Sequence, residues 1–198
     1  IKRLNHMLKP AIDRYQHTIT SHGWQMNDGS GRTGVPNARL FLSNPQHAEE
    51  ISTALENAGL ASTPATKGKD HLVLVDGEGL NTLNRDQFQN VQRHLVAYQA
   101  RDGLAEAYKE YIPDDAWQVN AGKGGVGVPN VRLHMQNAEQ AHRLLAHMET
   151  HTGLQADYAH KTGGNGQQEH MVVLPISDAE KTAEQVQTLS ERGQEKER

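Results

Sequence analysis

Apolar residues at Ala48, Ile51, Leu55 and Ala58 keep the spacing of one helical face, and Ala141, Leu144, Leu145 and Met148 repeat it later in the chain. Each run opens on a capping signal, Asn44 followed by Pro45 in the first case and Asn137 with Gln140 three residues on in the second. Each closes on a glycine, Gly59 or Gly153. Shorter apolar runs around these helices read as strands: Trp24 to Asn27 with Ala38 to Ser43, Ala61 to Thr66 with His71 to Val75, and Gln155 to His160 with His170 to Leu174. Further helices are predicted over Ala11 to Thr20, Arg85 to Ala100, Leu104 to Tyr111 (ended by Pro113) and Asp178 to Arg192. The charged tail from Gly193 to Arg198 is expected to fray.

The repetition is not confined to the helices. WQMNDGSGRTGVPNARLFL, from Trp24 to Leu42, aligns without a gap on WQVNAGKGGVGVPNVRLHM, from Trp117 to Met135. Eleven of the nineteen positions are identical (Trp, Gln, Asn, three Gly, Val, Pro, Asn, Arg and Leu), where unrelated segments share about one. Tyr15 matches Tyr108 at the same offset, and DHLVLV from Asp70 matches EHMVVL from Glu169 after short insertions. The chain therefore reads as a tandem duplication of an α-β-β-α-β-β-α unit. The α+β units, residues 1–99 and 100–198, each carry an antiparallel sheet with helices packed on one face.

The glycine-rich stretch GKGGVGVPN, from Gly122 to Asn130, resembles a phosphate loop over a few residues only. A phosphate loop opens onto a helix and ends in Lys followed by Ser or Thr. Here Val128, Pro129 and Asn130 lead into a predicted strand, and the first copy has Ser30 in place of Lys123. A nucleotide loop of the Walker type is rejected. A hairpin turn accounts for Gly and Pro, but it explains the polar residues shared by both copies less well: Gln25, Asn27, Asn37 and Arg39, with Gln118, Asn120, Asn130 and Arg132. These residues are expected either to lock the turn by internal hydrogen bonds or to hold an anion. Asn27, Asn37, Arg39, Asn120, Lys123, Asn130 and Arg132 are the candidate ligand-binding residues.

Twelve histidines raise the question of a metal. His147 and His151 stand four apart on one predicted helix, with His142 one turn earlier, but Glu149 does not complete an HExxH motif and the first unit has Ala54 in place of His147. The pair is a weak metal candidate, and a solvated helix face is the expected reading. His71 and His170 each follow an acid, which alternation sends to the other face of the strand. Trp24 and Trp117 read as core anchors. No serine nucleophile elbow and no duplicated acidic pair is present, so no catalytic residue and no cofactor is assigned.

Composition narrows the classes that remain. With 35% hydrophobic and 22% charged residues and no apolar run near a membrane span, the chain reads as soluble. Zero cysteines remove disulfides and thiolate chemistry and make the cytoplasm the default, without excluding export from a bacterium. A net charge of −4 and 5% aromatic residues argue against general nucleic-acid binding. The chain begins at Ile1, which suggests a larger parent protein, and its composition suggests a bacterial one. The expected function is a non-catalytic tandem-repeat binding or scaffolding region acting through a protein partner or another domain of the parent chain. The alternative is a small-ligand domain that takes a nucleotide or other phosphate compound at the glycine-rich loops.

Overall fold

The computed structural model describes residues 2–29, 34–123 and 126–196, with side chains to residue 189. The glycine-loop tips, 30–33 and 124–125, and the tail residues 197–198 lie outside the described residues. The chain divides into two compact units, Ile1–Leu95 and Val96–Arg198. Both are α+β.

In the first unit, α1 (Lys2–Leu8), a 3-10 turn and α2 (Ile12–Tyr15) precede β1 (Ile19–Asn27) and β2 (Asn37–Leu42). Helix α3 (Pro45–Asn57), strands β3 (Ser62–Lys67) and β4 (Asp70–Asp76) and the short α4 (Gly77–Asn81) follow. The division between units falls inside α5 (Arg85–Ala107). The second unit continues with β5 (Trp117–Asn120), β6 (Asn130–Met135), α6 (Ala138–Thr152), β7 (Asp157–Thr162), β8 (Gln168–Pro175) and α7 (Ala179–Lys196).

The two sheets share one topology. Their strand orders are β1-β2-β4-β3 and β5-β6-β8-β7, every neighbouring pair antiparallel. Register repeats as well: Leu40 lies opposite both Trp24 and Val73, and Leu133 opposite both Trp117 and Val172. The halves thus match in fold as the tandem duplication requires.

Alternation along the central strands builds each core. Ala38, Leu40, Leu42, Val73 and Val75 share one face of the first sheet and are fully buried, as are Ile51 and Leu55 on α3, which packs against β2, β3 and β4. In the second, Val131, Leu133, Val172 and Leu174 play the same part, with Ala141 and Met148 on α6. The opposite sheet faces also bury apolar residues, Phe41 and Leu72 in one unit and Met171 and Val173 in the other.

The cap signals act as their chemistry dictates. The Asn44 side chain accepts from the amides of Gln46 and His47, the Asn137 side chain accepts from Gln140, and Gly153 closes α6 in the left-handed region with φ 73°. Three of the predicted helices depart from the sequence expectation. The one predicted over Ala11 to Thr20 stops at Tyr15, because the Thr18 amide and hydroxyl both turn back onto the Tyr15 carbonyl and β1 begins at Ile19. The two predicted over Arg85 to Ala100 and Leu104 to Tyr111 are joined as α5, which runs through Gly103 without a break.

Candidate functional site

The hairpins β1-β2 and β5-β6 hold the shared polar residues in one repeated geometry. Asn27 Oδ1 accepts the Gly29 amide at 2.8 Å, and Asn120 Oδ1 accepts the Gly122 amide at 2.8 Å. Asn37 donates Nδ2 to the Val35 carbonyl at 3.1 Å and accepts Arg39 Nε on Oδ1 at 3.0 Å. Asn130 donates to the Val128 carbonyl at 3.0 Å and accepts Arg132 Nε at 2.8 Å. One amide therefore ties the loop carbonyl to the guanidinium two residues along the same strand, and both asparagines are buried. The next carbonyl is also taken: Pro36 O accepts the Gly77 amide and Pro129 O the Ile176 amide, each at 2.9 Å.

Glycine is required in this arrangement. Gly29 and Gly122 have φ 82° and 83°, and a Cβ on either would run into the backbone of Val35 or Val128. At these two positions the backbone of Val35 or Val128 leaves no room for a side chain.

Within each unit the structure brings Asn37 to Arg39 and Asn130 to Arg132, while Asn27 and Asn120 cap the turn separately. Lys123 is exposed at the second loop and joins none of these bonds. Both arginines are half-buried, and their terminal Nη groups make no hydrogen bond or ion pair among the described residues. Gln25 and Gln118 lie across the strand from them, exposed. At the same end of the first hairpin Met26 and Val35 are 57% and 49% exposed.

The histidine pair on α6 is turned to other tasks. His147 Nδ1 meets the Tyr108 hydroxyl at 2.8 Å, His151 Nδ1 meets the His147 carbonyl at 3.1 Å, and the two rings stack at 4.0 Å. Among the described residues no group of three or more His, Cys, Asp or Glu side chains is disposed to hold a metal ion. His170 faces the Tyr158 hydroxyl at 2.6 Å, while Glu169 turns to Lys161 across the strands at 3.5 Å.

A buried polar cluster in the first unit has no counterpart in the sequence reading. Arg14 grips Glu50 with two bonds of 2.8 Å, and the Tyr15 hydroxyl donates to Glu50 at 2.9 Å. Burial, with the Glu50 carboxylate adding to it and Arg14 opposing, holds the Tyr15 phenol well above its ordinary range. Tyr108, the matching residue in the second unit, is also raised by burial, but its partner is His147, one helical turn further along the equivalent helix. The available sequence signal was the Tyr15–Tyr108 match itself, since a tyrosine buried in both copies needs a hydroxyl partner in both.

Among the described residues no helix is long and apolar enough to cross a membrane. A scan against protein-family models matches none, and a search of curated proteins finds no similar sequence.

Proposed function

We propose that this chain is a non-catalytic tandem binding or scaffolding region, working through contacts with a protein partner or with another domain of its parent chain. The observation that carries this reading is the use of the shared polar residues: in both units the asparagine bonds the loop carbonyl at one end of its amide and the arginine Nε at the other, within its own hairpin. Side chains held by such local bonds lose less entropy on binding, and the first hairpin displays Met26 and Val35 near its end. The test places a photocrosslinking residue at Met26, with a second probe on the exposed Glu49 of α3 as control. A discrete crosslinked species from Met26, lost in Val35→Asp and absent from the control, is expected. Crosslinking that is diffuse, or equal from both probes, overturns the reading.

The small-ligand alternative keeps one supporting observation. Each arginine is held by Nε with its Nη groups unengaged among the described residues, an arrangement suited to an anion. Calorimetric titration with ATP, a cyclic nucleotide and inorganic phosphate separates the two. The scaffolding reading expects no saturable heat, and saturable micromolar binding lost in Arg39→Ala and Arg132→Ala favours the alternative.

A further inference from the structure

The four sheet edges are not equally protected against pairing with another chain. An open edge offers unpaired N–H and C=O groups, and proteins blunt it with bulges, short strands or proline. Strand β1 breaks register between Ile19 and Trp24, β5 is four residues long, and β3 carries Pro64 at its middle. Strand β7 has none of these: it pairs with β8 without a break from Asp157 to Thr162 and contains no proline.

The duplication makes the contrast specific. Pro64 lies opposite Val73 and Tyr158 opposite Val172, the same place in each sheet. Proline in an edge strand occupies positions whose nitrogen faces away from the neighbouring strand. At that position β7 has Tyr158, so an N–H points outward where the first unit has none, and alternation places the outward groups of His160 in the same row.

We propose that β7 is a self-association edge, pairing antiparallel with β7 of a second copy of this chain about a two-fold axis at Ala159. The register follows from charge. Centred on Ala159, the pairing sets Tyr158 opposite His160 of the second copy as a hydrogen-bonded pair. It sets Asp157 opposite Lys161 of the second copy on the other face. Asp157 is exposed and makes no ion pair among the described residues, while Lys161 already leans on Glu169. Two Asp157–Lys161 pairs form per dimer, and the lysine that would guard an isolated edge is matched by an opposite charge. The contact is isologous and closes at two copies. This homotypic edge is separate from the hairpin end proposed to meet a different protein.

Sedimentation velocity over a concentration series tests it. The native chain is expected to pass reversibly from monomer to dimer. Asp157→Lys and Lys161→Asp, each alone, set like charges opposite each other and should weaken the dimer about tenfold or more. Mixing the two variants should restore it as a heterodimer, because both cross-strand pairs then join opposite charges again. Tyr158→Pro, which copies the edge of β3, should give a monomer with its melting temperature checked alongside. If that variant fails to fold, the charge variants decide alone. A native chain that stays monomeric throughout, charge variants that dimerise like the native chain, or a mixture no tighter than its components overturns the proposal.

Discussion

Asn37 and Asn130 each spend both ends of a single amide, and that economy sets the energetics of the hairpins. Removing the guanidinium takes the Nε donor away from a buried Oδ1, a loss on the order of 1 to 3 kcal/mol. Arg39→Ala and Arg132→Ala should each lower the urea midpoint by that equivalent, and Arg39→Lys should recover little because lysine has no Nε at the required place. The pair Asn37→Ala with Arg39→Ala should cost less than the sum of its members, measured as a double-mutant cycle, since both remove the same bond. The sequence displayed the shared Asn and Arg two apart on a strand, hence on one face. It did not display which carbonyl the amide would reach, because that depends on the turn closing.

Helix α5 shows where element boundaries escape a reading of local signals. Gly103 costs about 1 kcal/mol relative to alanine in a helix interior, so Arg101-Asp102-Gly103 read as a break. In the structure a Cβ on Gly103 would lie 2.6 Å from Cγ1 of Val186 on α7, closer than packed carbons approach. The glycine is a packing contact, which no window of local sequence reveals. Gly103→Ala therefore sets a propensity gain of about 1 kcal/mol against overpacking of about 1 to 3 kcal/mol. Net destabilisation is expected, and Val186→Ala in the same chain should turn it into a gain, as thermal melts of the single and double variants would register. The caps of α3 and α6 were legible because their chemistry lies within four residues of the helix end. The early start of β1 was not, since its first residues, Ile19 to Gly23, carry little apolar alternation across a register break.

For the whole molecule the duplication was open to sequence, whereas the strand order was not: nothing local announces that β4 inserts between β2 and β3. Nor did the sequence single out His94, buried on α5. Burial pulls its imidazole down from 6.5 to about 4, with the Glu50 carboxylate pulling the other way. The sign follows from proton binding: below pH 6.5 the unfolded chain takes up a proton that the folded chain refuses. The contribution of His94 is therefore complete above pH 6.5 and is lost as pH drops toward 4, by an amount on the order of 3 kcal/mol. Urea unfolding of the native chain and His94→Leu across this window should diverge, the variant showing the shallower decline. Parallel curves would show that the histidine is not buried as described. Glu50→Ala belongs to the same region and should cost on the order of 3 kcal/mol, because it removes the carboxylate that both the half-buried Arg14 and the buried Tyr15 hydroxyl use, an effect the same titrations would read at about pH 7.

The hairpin lock also bears on how the two halves have come to differ. Its members depend on one another: a change at the asparagine strands the arginine, a change at the glycine closes off the turn, and no single replacement is neutral. Such a set tolerates change only as a block. Outside it the halves differ: one satisfies its tyrosine with glutamate and the other with histidine, and one edge carries a proline that the other lacks. The sequence likeness between the halves is concentrated in the nineteen residues around these bonds, where interdependence leaves the least room for exchange.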